Sequence, residues 1–340
     1  MPTQPEKTKR KIVVVGGGTG TYTVLRGLKR YHDQLDLAAV VTMADAGGST
    51  GRLRDEFGYL PVGDVRMALA ALAADVDESH NLLRELFLYR FDRGEGLTGH
   101  NFGNLFLTAL TDMLGSEASA IEAAGRILRV KGTVVPVTTD DVQLVATYAD
   151  GAQVVGEGII DAPLAERSSH RIAHIELTPQ ATISPEAAEV LRTADVVIFG
   201  PGDLYTSILP NCVVDGFVAA LQESGAVLCY VSNLMTKAGQ TVGMSACDHV
   251  TAVYSCVGRY PDVVFVNGQA LPEKVVEHYQ DQGEYPVADD LDNCPEIEVV
   301  RACFLTDLVV SPRVGDVVRR SLLRHDADKL AQVLIERMNL

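Results

Sequence analysis

Short runs of uninterrupted apolar residues, each closing on glycine or a small polar residue, recur along this 340-residue chain. Lys11 to Val15 (KIVVV) runs into Gly16-Gly17-Gly18, and Asp195 to Phe199 runs into Gly200-Pro201-Gly202. Ala226 to Val231 ends in Ser232-Asn233, Asp262 to Val266 ends in Asn267-Gly268, and Leu37 to Val41 has the same character. A strand apolar on both faces is buried on both, as in a parallel sheet covered by helices. Helical periodicity fills the intervals. It predicts helices over Thr21 to Tyr31, with Val24, Leu25 and Leu28 on one face, and over Val65 to Ala74, Asn81 to Phe91, Asn104 to Leu114 and Ser119 to Leu128. Ser184-Pro185 is an N-cap and first-turn pair for a helix over Glu186 to Thr193. The last 25 residues, through Asp326 and Leu330, read as a terminal helix. Ala44 to Gly63, polar and rich in glycine, reads as loop. Val142 to Ala149 and Ala152 to Ile160 flank Asp150-Gly151 as the arms of a hairpin, and Arg171 to Leu177 adds another strand. The expectation is an α/β fold: a parallel sheet with flanking helices, residues 11–340 as a single domain, and an antiparallel insertion on the main sheet from Thr133 to Leu177. Met1 to Arg10, polar throughout, reads as a disordered tail.

Composition narrows the partners. The formal net charge of −16 argues against a nucleic-acid footprint, which needs a basic face. An anionic ligand must then be held by backbone amides and a few arginines rather than by the overall field. No apolar run approaches the length of a membrane span, and the first residues lack a signal-peptide core, so a cytoplasmic protein without membrane insertion is expected. The six cysteines form no C-x-x-C pair and read as reduced, mostly buried thiols rather than a disulfide frame or a zinc site.

In an open parallel sheet, ligands gather at the carboxyl ends of the strands, and the candidate chemistry falls there. Gly16-Gly17-Gly18-Thr19-Gly20-Thr21 joins a strand to a helix. Its glycines let backbone approach a phosphate, and the helix start offers open N–H groups. The third glycine of the dinucleotide fingerprint falls on Thr21, which disfavours an NAD-dependent dehydrogenase. Asp45-Ala46-Gly47-Gly48-Ser49-Thr50-Gly51-Arg52 follows the second strand. Asp45 can accept from a ribose hydroxyl or hold a magnesium ion, and Arg52 and Arg54 can fork onto phosphate oxygens. Asp64, beside Arg66, is either an N-cap or a functional carboxylate. His100, beside Asn101 and Asn104, is either a proton donor or a loop hydrogen-bonding group. Gly200, Gly202, Asp203, Tyr205, Thr206 and Ser207 join a strand end to a run of hydroxyls, and Asn233 opens the stretch Asn233-Leu234-Met235-Thr236-Lys237. The hydroxyl cluster is expected to face Gly16 to Thr21 across one crevice.

Taken together, these motifs and the final Arg324-His325-Asp326-x-Asp328-Lys329-Leu330 segment resemble the bacterial gluconeogenesis factor family (YvcK-like). That family shares its fold with 2-phospho-L-lactate transferase (CofD-like). The resemblance implies a Rossmann-like core with a nucleotide in the crevice lined by the glycine loops. Its gluconeogenesis branch is associated with UDP-sugars such as UDP-N-acetylglucosamine and with growth and cell shape on gluconeogenic carbon. The transferase branch moves a phospholactyl group from a guanosine diphosphate carrier to a deazaflavin, with magnesium. Gly16 to Thr21 and Gly200 to Ser207 match loops of both branches, while Gly47 to Arg52 matches the gluconeogenesis pattern. Asp203 stands where the family pattern has serine, and an extra carboxylate beside phosphates should repel them unless a cation sits between. Two functions follow as expectations: a regulatory nucleotide-sugar-binding protein, or a transferase of a phosphate-linked group. Neither a catalytic residue nor a bound metal is fixed by the sequence, and a homo-oligomer is compatible with it.

Overall fold

The computed structural model describes residues 9–75, 78–294, 297–306 and 322–338. The apolar runs form parallel strands because both of their faces are covered. They are β1 (Arg10–Gly16), β2 (Leu35–Val41), β3 (Thr133–Pro136), β7 (Val196–Phe199), β8 (Val227–Val231), β9 (Val263–Asn267) and β10 (Glu298–Ala302), in the spatial order β10-β9-β8-β7-β1-β2-β3. A separate antiparallel sheet orders β5 (Gln153–Val155), β4 (Gln143–Tyr148) and β6 (Ile172–Thr178) as β5-β4-β6. In the first half of the chain the helices are α1 (Gly18–Leu28), α2 (Gly48–Phe57), α3 (Gly63–Leu72), α4 (Glu78–Leu88), α5 (Phe102–Leu114), α6 (Glu117–Leu128) and the short α7 (Glu157–Asp161). The second half adds α8 (Pro185–Arg192), α9 (Leu209–Cys212), α10 (Phe217–Ser224), α11 (Ala246–Val257), α12 (Glu273–Gln280) and α13 (Ala327–Met338).

Alternation along β1 splits the core in two. Ile12 and Val14 face Val24, Leu25 and Leu28 of α1 and Leu330 and Leu334 of α13. Val13 and Val15 face the other layer, which includes the antiparallel sheet and α8 to α11. The chain runs outward from β1 to β2 and β3, then returns to β7 beside β1 and runs the other way to β10. The direction reverses between β1 and β7. Val15 pairs with Phe199 there, so the turns at Gly16 and Gly200 leave the sheet side by side.

Several expectations need correction. Thr133–Pro136 pairs parallel with β2 and belongs to the main sheet, so the antiparallel part begins at Gln143. The second hairpin arm stops at Val155. Gly156 takes φ 102, a conformation that favours glycine, and Glu157–Asp161 turns into α7. Ala44 to Gly63 is not all loop, because Gly48–Phe57 forms α2 with Ser49, Thr50 and Leu53 buried. Arg10 opens β1 rather than closing a tail, and residues 1–8 of that tail lie outside the described residues. The cysteine expectation also fails for one pair. α11 packs beside the 3₁₀ turn Leu291–Asn293, the Cys247 amide donates to Asp290 Oδ1 at 2.9 Å, and Cys247 and Cys294 are bonded with their Cα atoms 5.9 Å apart. Cys212 and Cys229 are buried thiols as expected, whereas Cys303 is exposed.

Candidate functional site

At the reversal point the two glycine turns press backbone against backbone. A Cβ on Gly20 would meet the Pro201 carbonyl oxygen at 1.8 Å, and one on Gly202 would sit 3.7 Å from Gly17 O. Gly17 is the N-cap of α1, and Gly18, at φ +61, starts the helix. Beyond Gly202, Leu204–Ile208 forms one π-helical turn in which the Ser207 and Ile208 amides both donate to Asp203 O. Such turns concentrate at functional sites. The expected facing of the two loops is present, but only part of the hydroxyl cluster reaches the crevice. Tyr205 and Thr206 are buried, while half-buried Ser207 puts its Oγ 4.0 Å from where a Gly18 side chain would begin. Thr19 is exposed, and Thr21 is buried under Gly16, away from the opening.

A carboxylate occupies the mouth of α1. Asp64 does not cap its own helix, since Val62 is the N-cap of α3; instead its Oδ1 accepts the Gly18 N–H at 2.7 Å. A Cβ on Gly17 would strike Asp64 Oδ2 at 2.1 Å, which explains the glycine there without any ligand. Burial, together with the Asp45 charge, pushes Asp64 up to about 7. Asp45 is itself raised by burial, although its Oδ1 accepts from the Gly47 amide at 2.8 Å. Glu157 of α7 accepts from the Ala46 amide at 3.3 Å and is held well above the ordinary carboxylate range by burial and then by Asp45. Arg66 answers these acids. Its guanidinium, brought down to about 10 by burial and by Arg90, donates through Nε to Asn104 Oδ1 at 2.7 Å.

The Gly47 to Arg52 and Gly99 to Asn104 stretches knit into a buried network. Asn104 Nδ2 donates to Ser49 Oγ and Thr50 Oγ1, both at 3.3 Å, and Ser49 Oγ lies 3.2 Å from His100 Nδ1. Burial and the nearby Arg52 lower the His100 pKa, which favours the neutral ring. Asn101 caps α5 by accepting from the Gly103 amide and donates to Leu88 O. Arg52 is exposed and donates to Thr98 O at 3.1 Å, so it pins the α2 edge to the turn before His100. Gly48 opens α2 at φ +47 with open space around it. These groups border the crevice from the β2 side and chiefly hold each other.

The magnesium implied by the transferase likeness finds no ready cradle. Asp45 and Asp64 each spend an oxygen on a backbone amide, and among the described residues no group of three or more metal-ligating side chains converges.

Comparison with known proteins settles the kinship. The family described as "2-phospho-L-lactate transferase CofD" matches residues 12–305. A "Putative gluconeogenesis factor" of Thermotoga maritima is 41% identical over 329 residues, covering 97% of this chain and 99% of its own. The "Gluconeogenesis factor" of Bacillus subtilis is 38% identical over 330 residues, covering 96% of this chain and 98% of its own. The chain belongs to the CofD family, on its gluconeogenesis-factor branch. A crystal structure of a Bacillus halodurans protein superposes with a TM-score of 0.85 at 35% identity, covering 96% of this chain and 100% of that one.

The repulsion of phosphate expected of Asp203 has an answer in the structure. Lys237 Nζ lies 3.2 Å from Asp203 Oδ2 and 3.0 Å from Asp161 Oδ1. Burial first, then the Asp203 charge, raises Asp161 to about 6. The expected repulsion is therefore met by a protein cation placed between two acids, one of them easily protonated. Asn233 completes this side: its Nδ2 donates to Gly202 O at 2.7 Å and its Oδ1 accepts from Tyr230 OH. Sequence reasoning missed Glu157 and Asp161, because the alternation around Val154 and Val155 read on as strand through Gly156. The role of Lys237 is set by Asp161 and Asp203, which lie far from it in the sequence. The Gly156-Glu157-Gly158 triplet was the available signal that a strand could not continue.

Proposed function

We propose that the chain binds nucleoside diphosphate sugars, UDP-N-acetylglucosamine among them, in the crevice between Gly16–Gly20 and Gly200–Ser207. In this reading it is a cytoplasmic regulatory protein that couples envelope metabolism and cell shape to growth on gluconeogenic carbon. The observation that supports the reading is the pair of interlocked turns at the reversal point, where the start of α1 faces Ser207 and its Gly18 N–H already holds a carboxylate, Asp64, in the place an anion would take. Calorimetry with UDP-N-acetylglucosamine, UDP, GDP and NAD at pH 7 tests it. UDP compounds should bind saturably, and Ser207→Ala should weaken them while leaving the circular dichroism native. No heat from any UDP compound would end the proposal.

One observation favours a second reading, transfer of a phosphate-linked group from a nucleoside diphosphate carrier. Asp64, at about 7 and in contact with Gly18, is poised to accept an alcohol proton near neutral pH. Free nucleotide released from a UDP- or GDP-linked donor only when an acceptor alcohol is present would support it. A donor that stays intact would leave binding as the whole activity.

A further inference from the structure

The bond between Cys247 and Cys294 joins a rigid helix to a stretch that reaches the crevice. Cys247 stands in the first turn of α11, just after the N-cap Ser245, and α11 is bedded in the core through Val250, Val253 and Val257. Cys294 closes the 3₁₀ turn Leu291–Asn293, at the end of the stretch 284–294; apart from that turn the stretch is irregular. Its beginning is zipped to 234–236. The Thr236 amide donates to Tyr285 O at 2.7 Å, the Tyr285 amide to Thr236 Oγ1 at 2.9 Å, and the Val287 amide to Leu234 O at 3.1 Å. Asn233 and Lys237 flank 234–236, and they hold the second glycine turn: Asn233 donates to Gly202 O, and Lys237 pairs with Asp203. We propose that the Cys247–Cys294 bond is a reversible redox latch, which sets through 284–294 and 234–236 how firmly Asn233 and Lys237 fix the crevice. Its consequence for affinity rests on the nucleotide reading above.

In the cytoplasmic setting of that reading, small thiols keep most cysteines reduced, and the disulfides that do form there are usually transient. This pair suits such cycling. Both cysteines are half-buried, so a small thiol reaches the bond. Cys212 and Cys229 are sealed, and burial holds both in the unreactive thiol form. Opening the bond proceeds by exchange. A low-molecular-weight thiolate attacks one sulfur, the S–S bond breaks, and the other cysteine leaves as a thiolate that takes up a proton. A second small thiol then attacks the mixed disulfide and frees the first cysteine. Two small thiols are thereby oxidised to one small disulfide, and that disulfide is the oxidant for the reverse course. Once the bond is open, the far end of the stretch keeps two hydrogen bonds to α11, from the Ala246 amide to Ala288 O and from the Cys247 amide to Asp290 Oδ1, both at 2.9 Å. Asp289 keeps its pair with Arg301 of β10, and Leu291 stays buried. The latch therefore loosens the stretch without releasing it, and the loosening passes along a contiguous chain of hydrogen bonds to the crevice.

The test uses the full chain with Cys303→Ser, which removes the exposed thiol, equilibrated in glutathione buffers from reducing to oxidising. Peptide mapping after alkylation should show the bond opening and re-forming in the native protein. On reduction, amide exchange at Thr236, Tyr285 and Val287 should quicken about tenfold while β1 and β7 stay unchanged. UDP-N-acetylglucosamine, measured by calorimetry, should bind about threefold more weakly to the reduced protein, because it must then order the stretch itself. The further double variant Cys247→Ser with Cys294→Ser should match the reduced protein in both buffers. A bond that glutathione cannot open, or equal exchange in the two states, would make the bond a fixed brace and overturn the latch. Faster exchange with equal affinity would cut the link to the crevice and overturn it too. A redox effect that survives the double variant would assign the effect to another thiol. Exchange that responds to redox while no UDP compound binds in either state would end the nucleotide reading and leave the latch standing.

Discussion

Replacing Asp64 by asparagine isolates the unusual carboxylate at the mouth of α1. The Asn Oδ1 can still accept the Gly18 N–H, so the change removes a charge and keeps a hydrogen bond. In the wild type the group sits at about 7 against an ordinary 3.8. Below about pH 4 the folded and unfolded chains both hold the proton. Between about 4 and 7 the unfolded chain has released it and the folded chain has not, so stability falls as pH rises, and above 7 the loss is complete. That interval converts at about 1.4 kcal/mol per pH unit to about 4 kcal/mol. Asp64 is only half-buried and opens on the crevice, so water screens part of the penalty, and about 2 kcal/mol is the expected size. Urea unfolding across pH 4 to 8 should show Asp64→Asn matching the wild type at the acid end and exceeding it by about 2 kcal/mol at pH 8. UDP affinity should fall above pH 7 in the wild type and stay level in the variant, because an ionised Asp64 competes with phosphate for the same amide. Parallel stability profiles for the two proteins would refute the assignment of the raised pKa to this residue.

Three further outcomes test the site's construction. Gly20→Ala should destabilise by about 1–3 kcal/mol in denaturant titration, even though alanine favours helix by about 1 kcal/mol, because its Cβ meets the Pro201 backbone at 1.8 Å; a more stable variant would deny the interlock. Lys237→Met should cost about 1 kcal/mol at pH 8, a value discounted for side chains 23–38% exposed, and less at pH 5, where Asp161 holds its proton; the further change Asp203→Ser should recover part of the loss, and no recovery would show that the pair is not coupled. Thiol titration of the denatured, unreduced protein should count four of the six cysteines, and reduction should lower stability by about 4 kcal/mol, the chain-entropy value for a separation of 47; six reactive thiols would exclude the Cys247–Cys294 bond.

What the sequence made legible follows from local physics. Runs such as Ile12 to Val15 and Val196 to Phe199 must be strands buried on both faces, and the residues that end them must lie on one edge. Ser184 and Pro185 sit where the helix start needs them, with Ser184 Oγ accepting from the Ala187 amide. α2 was illegible because its first four residues, Gly48-Ser49-Thr50-Gly51, are poor helix formers, and the helix stands on buried contacts from α5 rather than on propensity. β10, only Glu298–Ala302 and partly covered at the sheet edge, carried too little apolar signal to register. In the site, the glycine turns were visible as local sequence, yet their reason was not. Gly17 and Gly20 answer Asp64 and Pro201, partners 47 and 181 positions away in a chain whose pairing only the fold reveals.

The charge balance of the crevice gives the nucleotide-sugar proposal its physical limits. Counted as charges, Asp45, Asp64, Glu157, Asp161 and Asp203 outnumber Arg54, Arg66 and Lys237, the cations that act on them among the described residues, and such a wall disfavours an anion. Burial changes the count. Asp45, Asp64, Glu157 and Asp161 all hold their protons more tightly than free carboxyls, and Lys237 stands between Asp161 and Asp203. Lys237 is itself held protonated by those acids despite its burial. What remains positive toward the opening is the start of α1, reached by displacing or protonating Asp64. Among the described residues, such a balance favours a short anion over a longer one. A diphosphate with uncharged groups at both ends meets that condition. A triphosphate adds charge at the end where Asp45 and Glu157 already stand, so UDP-sugars should outbind UTP, and the margin should widen as rising pH ionises Asp64.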